Sequence, residues 1–538
     1  MTPPSDDHDA AVAAGDPAAA DVGKLARRGL VWTTLSQVLS NGVRVIAIAI
    51  LARLLTAADF GVVTGASVLL ALATNVRDLG IGAALVQHRA LTPAHIKTAF
   101  AVSAWIAVAL AGAMFLTAGP LARLLGDGRG EPIIQALSAL VLIRGLRAVP
   151  NQLAIRRMHF RLIALVDVGM YLVGITVTIV LAWAGYGPWA LVWGYLAETT
   201  LGGLVMWLAI RPPIALTVDR GALRELMRFG AGQTLNTVAN ALATQGDYLV
   251  VGNQLGSDKL GFYNRAYELI TYPSTLFNNV AGSVLFSSLS RLQDDRARLA
   301  QTFEQTLFLI AAVLVPASAG LVLVAPEFIR VLMGEAWMTA VVPFQIMACS
   351  MYFRTAYKVG ATVARGRGDV YRMAGLQLVY AFNVIVGALI ASRWGIGGVA
   401  VTTSAAVALH FAIMTWLGML NTGTRWPTVL AIHLAAVPAL IATLALAIPT
   451  ALVLRGMHAS SGVVLALTSA AGAVGYLGCA AWLIRRRGSR WATAWRELRE
   501  LLRGGGTKAA GREAKLARRR AAAAAAHAPP PPPTESAP

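Results

Sequence analysis

The chain has 538 residues, of which 57% are hydrophobic and only 13% charged. Soluble globular chains average about 45–50% apolar and about 25% charged residues, so the composition excludes an ordinary soluble domain and points to a membrane protein. The formal net charge of +20, from 46 Lys+Arg against 26 Asp+Glu, would suggest nucleic acid for a soluble chain; here the charges lie between apolar segments, and no nucleic-acid partner is expected.

Residues 1–23 are Ala-rich and acidic, without the basic start and apolar core of a signal peptide, and read as a short disordered cytoplasmic tail. Beyond them, fourteen windows meet the requirement of about 20 mostly apolar residues for crossing a bilayer. They lie near 30–52, 60–85, 97–118, 133–154, 162–183, 188–210, 229–252, 261–288, 303–324, 340–363, 371–391, 396–419, 428–453 and 462–484. Runs of this length are helices, because lipid offers the backbone no hydrogen bonds. The expected class is therefore an all-α integral membrane protein of about fourteen transmembrane helices. Basic residues concentrate in alternate loops, for example Arg156, Arg157 and Arg161, then Arg220, Arg224 and Arg228, then Arg291, Arg296 and Arg298. This alternation predicts both termini in the cytoplasm. No loop between windows is long enough for a folded domain, so an enzyme working in water is not expected.

The stretch LTAADFGVV (55–63) matches LGSDKLGFY (255–263) two hundred residues later, and Arg28 with Thr34-Leu35 matches Arg228 with Thr234-Leu235 in the same register. The expectation is two parallel six-helix lobes, 24–212 and 213–420, followed by two further helices in 421–484, an arrangement that places a substrate path between the halves. A basic cytoplasmic tail, 485–538, follows. In it WATAWRELRELLR (491–503) puts Trp491, Trp495, Leu498 and Leu502 on one helix face, read as a helix lying on the inner leaflet, before a low-complexity Ala/Pro end.

Cys349 and Cys479 lie in apolar runs, and the eight histidines show no metal-ligand spacing, so neither a metal nor another cofactor is expected beyond coupling to H+ or Na+. The informative residues are charges inside the windows. An arginine near a helix centre costs about 2.5–3.5 kcal/mol on insertion scales. Arg44 is nearest mid-membrane; it either lines a wet cavity or bonds to another helix through Asp78 or Asp247. Arg77 adjoins Asp78, and Arg354 and Lys358 stack four residues apart on one helix face, where like charges repel unless that face binds an anion. These four cations, Arg44, Arg77, Arg354 and Lys358, are the predicted substrate-binding set. Arg144 and Arg147 are further candidates that alternatively snorkel, and Arg265 is a further candidate whose place at the end of its window suits snorkelling. Asp78 and Asp247 are candidates for ion coupling; for Asp247 the alternative is a simple partnership with Arg265. Cations outnumber acids in the windows, and arginine matches phosphate oxygens with paired donors. An anionic amphiphile such as a lipid-linked phosphate fits.

The segments ARRGLVWTTLSQ, LARLLTAADFGVV, VRDLGIGAALVQ and GDYLVVGNQLGSDKLGFYNRAYEL resemble those of the polysaccharide-transport flippases, the O-antigen, capsule and exopolysaccharide exporters of the multidrug/oligosaccharidyl-lipid/polysaccharide exporter superfamily. The resemblance covers about residues 24–484. It implies two lobes opening alternately to each side, and translocation of polyprenyl-pyrophosphate-linked oligosaccharide across the bacterial cytoplasmic membrane. Membrane lipids and a polysaccharide polymerase or export machinery would be its partners. The alternative within the same superfamily is a multidrug-type antiporter for small organic cations, which acids and aromatics would suit better than arginines.

Overall fold

The computed structural model describes residue 37 and residues 39–77, 81–88, 91–289, 296–366, 370–486 and 489–502. Among these every regular element is helical. The helices are α1 (39–54), α2 (Ala57–Arg77), α3 (Ile81–Gln87), α4 (Pro93–Leu116), α5 (Ala118–Leu124), α6 (Gly130–Arg156), α7 (Phe160–Trp183) and α8 (Pro188–Ile210). They continue as α9 (Arg220–Leu289), α10 (Arg296–Leu332), α11 (Val341–Cys349), α12 (Met351–Gly366), α13 (Val370–Ala391) and α14 (Gly395–Thr422). The last are α15 (Trp426–Gly456), α16 (Ser461–Arg485) and α17 (Arg490–Leu502).

Ten stretches among the described residues are long and apolar enough to cross a membrane, so the chain is a multi-pass membrane protein. The all-α expectation holds. The full count of fourteen spans remains a proposal; Arg372–Thr422, one stretch by length, contains both α13 and α14, folded at Gly395 with φ 71°. Of the internal repeat, residues 28, 34 and 35 and the side chains of 228 and 234–235 lie outside the described residues, whereas the 55–63 and 255–263 segments are fully described.

Those two segments meet each other. A Cβ on Gly61 of α2 would stand 1.7 Å from the Ser257 carbonyl oxygen, and a Cβ on Gly261 of α9 would stand 1.9 Å from the Ala57 carbonyl oxygen. The contact is reciprocal under the two-hundred-residue offset: 57 and 61 of one copy touch 261 and 257 of the other. Backbones this close tolerate no side chain at either position, which is why both copies carry Gly there. The entry turns differ. Thr56 and Asp59 cap α2 mutually, the Thr56 N–H donating to Asp59 Oδ2 at 2.9 Å and the Asp59 N–H to Thr56 Oγ1 at 3.2 Å. In α9 the equivalent of Thr56 is Gly256, whose φ of 83° folds the helix back on itself.

This end of the molecule is closed by contacts between the halves. Ser257 Oγ donates to Asp127 Oδ2 at 2.8 Å, Asn253 Nδ2 donates to the Leu124 carbonyl at 2.7 Å, and Arg53 donates to the Val331 carbonyl at 3.0 Å. Arg129 and Ser257 hold the Asp127 carboxyl below its ordinary value, the hydrogen bond from Arg129 contributing most. Trp337 is fully buried, donates Nε1–H to the Ala52 carbonyl at 2.8 Å, and meets Phe60 and Phe262 edge-on. One apolar core therefore runs through both halves, including Phe60 and Ile133 on one side and Tyr263, Phe303 and Phe344 on the other.

The last helices are fixed to the second half. Arg455 at the end of α15 donates from Nε and Nη2 to the two oxygens of Glu327 in α10, both at 2.8 Å. Helix α17 has the expected extent but a different seat. Trp491 is buried, donates to the Ala435 carbonyl at 3.0 Å and meets Phe308 and Tyr476 edge-on, while Trp495 is exposed. The first turn of this helix thus rests on protein, correcting the expectation that its whole apolar face lies on lipid: the Trp491 indole N–H finds a carbonyl, and its ring an aromatic pocket.

Candidate functional site

The intramembrane charges fall into two groups, one in each half, joined by α9. In the first, Arg44 of α1 is exposed and its guanidinium lies over the Tyr171 ring of α7, 5.1 Å from the centroid. Among the described residues no carboxylate comes within ion-pair distance of it. Glu198 of α8 lies within electrostatic reach of Arg44, Arg144 and Arg147. Arg147 also bonds Asp167 of α7 at 2.9 Å. Three cations thus share two carboxylates, leaving positive charge in surplus. Arg144 and Arg147 do not simply snorkel; helices α7 and α8 hold their partners. Arg77 is buried near the α6 crossing, where a Cβ on Gly145 would stand 3.5 Å from its Cδ.

Arg265 corrects an expectation. It is not at a headgroup surface but buried, with its guanidinium 4.0 Å from the centroid of Phe60 and paired with Glu268, which also accepts from Tyr272 Oη. The reason is the α2–α9 contact described above: it brings Phe60 of the first half across the α9 turn that carries Arg265. Glu268 is three residues along the same face.

In the second half, Asp247 is 1% exposed and accepts from Tyr263 Oη at 2.7 Å; Tyr263 in turn approaches Thr403 Oγ1 at 3.3 Å. Asp247 is therefore not the partner of Arg265, nor of Arg44. Its nearest strong charge is Arg354 of α12, which lies over Tyr267 at 4.6 Å and donates Nε–H to Ser350 Oγ at 3.2 Å. Arg354 Nη2 is buried without a hydrogen-bond partner. The Arg354–Lys358 pair diverges: Arg354 turns in among Tyr267, Tyr263 and Tyr380, whereas Lys358 is exposed. The aromatic wall relieves the like-charge contact expected from their spacing. Asp78 lies outside the described residues.

A family model described as "Polysaccharide biosynthesis protein" matches residues 50–342, more than half of the chain. The chain belongs to that family. Within the family resemblance, the chain is 25% identical over 378 residues to the lipopolysaccharide biosynthesis protein WzxC of Escherichia coli K12, covering 68% of this chain and 76% of the relative. It is 27% identical over 350 residues to the succinoglycan biosynthesis transport protein ExoT of Rhizobium meliloti, covering 64% and 70%. Among solved structures, the lipid II flippase MurJ in an inward closed conformation superposes with a TM-score of 0.68 at 14% identity, over 85% of this chain and 98% of that one. An inward-facing multidrug transporter of the MOP superfamily gives 0.53 at 15% identity, over 73% and 94%. At these identities the structural likeness establishes the fold alone, an all-α fold shared with both.

Of the residues singled out from the sequence, Arg77, Arg144, Arg147, Asp247 and Arg265 fall inside the family match, and Arg44, Arg354 and Lys358 flank it. The structure adds Tyr171, Tyr263 and Tyr267, which no charge pattern marks, and gives Glu198 and Glu268 defined cationic neighbours. Two of the tyrosines had a legible signal: YNRAYELITYP (263–273) sets Tyr263 four residues from Tyr267, as it sets Glu268 three from Arg265 and four from Tyr272.

Proposed function

We propose that this member of the polysaccharide biosynthesis family is a flippase. It carries polyprenyl-pyrophosphate-linked oligosaccharide units from the inner to the outer leaflet of a bacterial cytoplasmic membrane, for assembly into surface polysaccharide. The observation that carries the reading is the surplus of positive charge between the helices: Arg44 exposed beside Tyr171, and Arg354 with an unpartnered buried donor. A pyrophosphate supplies oxygens to such donors in paired geometry, and its polyprenyl chain stays in lipid throughout. No bond is made or broken. With both termini cytoplasmic, the closed Gly61/Gly261 end faces outward, so the charges are reached from the cytoplasmic side. The lobes then rock and the headgroup leaves on the outer side. Asp247, buried and bonded to Tyr263 Oη, which in turn reaches Thr403 Oγ1, is the proposed site of H+ or Na+ coupling. A polymerase or export assembly would consume the flipped unit.

The test is mass spectrometry of polyprenyl-linked glycans in cells lacking this protein and complemented with wild type, Arg44→Ala or Arg354→Ala. Accumulation of lipid-linked units and loss of surface polymer with the deletion and both variants, at normal protein levels, supports the reading. Full export by both variants refutes the cationic site; unchanged lipid-linked pools on deletion refute the flippase.

A further inference from the structure

At the end of the molecule opposite the Gly61/Gly261 contact, a cluster stands apart from the charges just described. Among the described residues, one group of three His, Cys, Asp or Glu side chains is placed to hold an ion together: His88, His95 and Glu225. The two histidine Nε2 atoms lie 3.1 and 3.0 Å from the same carboxylate oxygen, Glu225 Oε2, and the rings are 4.6 Å apart, tilted by 38°. A tetrahedral site with bonds of about 2.0–2.2 Å sets its ligand atoms about 3.3 Å apart. The two His–Glu225 edges need to open by only a few tenths of an ångström, and the three ligand atoms all lie within 4.8 Å of one another.

The surroundings suit ligation. His95 sits at the third position of α4, where Thr92 caps the helix; its Nδ1 lies 2.7 Å from Thr92 Oγ1. When Nε2 takes a metal, the ring proton moves to Nδ1 and donates to that hydroxyl, the outer-shell bond that orients a metal-bound histidine, replacing the longer bond of 3.3 Å that Nδ1 accepts from the Thr92 N–H. His88 Nδ1 makes no hydrogen bond, so the same proton shift breaks no contact there. The loop bearing His88 is itself fixed: Arg156 Nη1 donates to the carbonyls of Leu85, Val86 and His88 at 3.0, 3.0 and 2.7 Å. Glu225 is fixed by the start of α9, where Asp219 Oδ1 accepts from the Ala222 N–H at 2.7 Å and the Asp219 N–H donates to Thr98 Oγ1 at 3.0 Å. Two imidazoles and a carboxylate are the ligand set of open, borderline-soft sites that leave one position for water.

We infer that His88, His95 and Glu225 form a binding site for a divalent transition metal of the Zn2+ class, which clamps the second turn of α9 to the α3–α4 corner. Helix α9 leads from there to Asp247 and Arg265 in the second half, so the metal would fix one end of the helix that joins the two groups of charges.

The probes are Zn2+ and, for its spectrum, Co2+, titrated into the tag-free full-length protein in detergent after chelator treatment. One equivalent should bind, with a visible Co2+ d–d band of low coordination number and a raised thermal midpoint; Mg2+ should do neither. Glu225→Gln, a change at an exposed side chain that preserves shape, should weaken Zn2+ binding by more than ten-fold, and Thr92→Val should weaken it by about ten-fold as an orienting residue. Absence of saturable binding below millimolar Zn2+ would overturn the inference. So would stoichiometric binding unchanged by Glu225→Gln and by His88→Asn, each checked to keep the metal-free thermal midpoint. Loss of export in the Arg44 variant leaves this result untouched.

Discussion

Replacing Gly261 by Ala tests the contact on which closure of one end depends. The new Cβ would stand 1.9 Å from the Ala57 carbonyl oxygen and 2.7 Å from its carbon, against 3.4–4 Å for ordinary contact. Both neighbours are helix backbone, so α2 and α9 must separate by about 1.5 Å rather than a side chain turning away. That separation strains the Ser257–Asp127, Asn253–Leu124 and Trp337–Ala52 hydrogen bonds together. Overpacking of this kind costs about 1–3 kcal/mol. Acting on the closed arrangement only, it shifts the ratio of open to closed about 5–150-fold. The reporter is Leu125→Cys, 6% exposed at this contact, in a background with Cys349 and Cys479 replaced by Ser. Labelling of the purified protein by a water-soluble maleimide should be slow in the parent and faster by that factor with Gly261→Ala. Gly61→Ala should act in the same direction, because its Cβ meets the Ser257 carbonyl in the equivalent way. Unchanged labelling in both would show that the two segments do not hold the end shut.

The Glu327–Arg455 pair should be worth about 1–2 kcal/mol, since Glu327 is 8% exposed at its side chain and Arg455 37%; Arg455→Ala should lower the thermal midpoint in detergent, and adding Glu327→Gln should restore part of it. Deleting 489–538 removes the buried Trp491 and should lower that midpoint, while deleting only 503–538 should leave it unchanged. The Asp127 carboxyl is held below its ordinary value of 3.8, so its contribution to closure is fully present above that pH and is lost as pH falls through the lower folded value. The thermal midpoint in detergent should therefore fall on acidification below pH 3.8, and Asp127→Asn should weaken that dependence.

The helices were legible because each spanning window must carry its own apolar run, a local property. The match of Gly61 with Gly261 was legible for a different reason. Close helix approach demands glycine at a fixed place in both copies, so Gly61 and Gly261 survive where most of the side chains around them have diverged. The pairing of charges was not legible. Arg147 finds Asp167 on the next helix, and Arg265 is buried because Phe60, some two hundred residues earlier in the chain, is folded onto it. The end of a window marks a headgroup surface only when no neighbouring helix covers it. The His88–His95–Glu225 cluster was not legible either: the two histidines lie in separate elements, and Glu225 comes from another helix altogether. Trp491 was read with the right helix face but the wrong neighbour, since periodicity does not distinguish lipid from protein.

The partners separate arginines whose charge is met within the protein from those whose charge is not. Insertion scales charge each arginine at a helix centre about 2.5–3.5 kcal/mol. A cation over an aromatic ring returns about 0.5–2 kcal/mol. Arg265 has Phe60 and, in addition, a hydrogen-bonded carboxylate in Glu268, so its cost is met within the protein. Arg44 lies over one ring, and Arg354 lies over Tyr267 with Tyr263 and Tyr380 near it and Ser350 accepting one donor; among the described residues neither has a carboxylate at ion-pair distance, and Arg354 keeps an unpartnered donor. Their deficit is what an anionic substrate would relieve. Arg265→Ala should thus strand Glu268 in the interior and reduce thermal stability by about 2–4 kcal/mol, export falling with protein level. Arg44→Ala and Arg354→Ala should fold at wild-type levels, with thermal midpoints equal to or above wild type, and fail in export. Midpoints measured in detergent beside the lipid-linked glycan pools read both quantities. If Arg44→Ala and Arg354→Ala destabilise as much as Arg265→Ala, these arginines hold the helices together and the anion-binding argument falls.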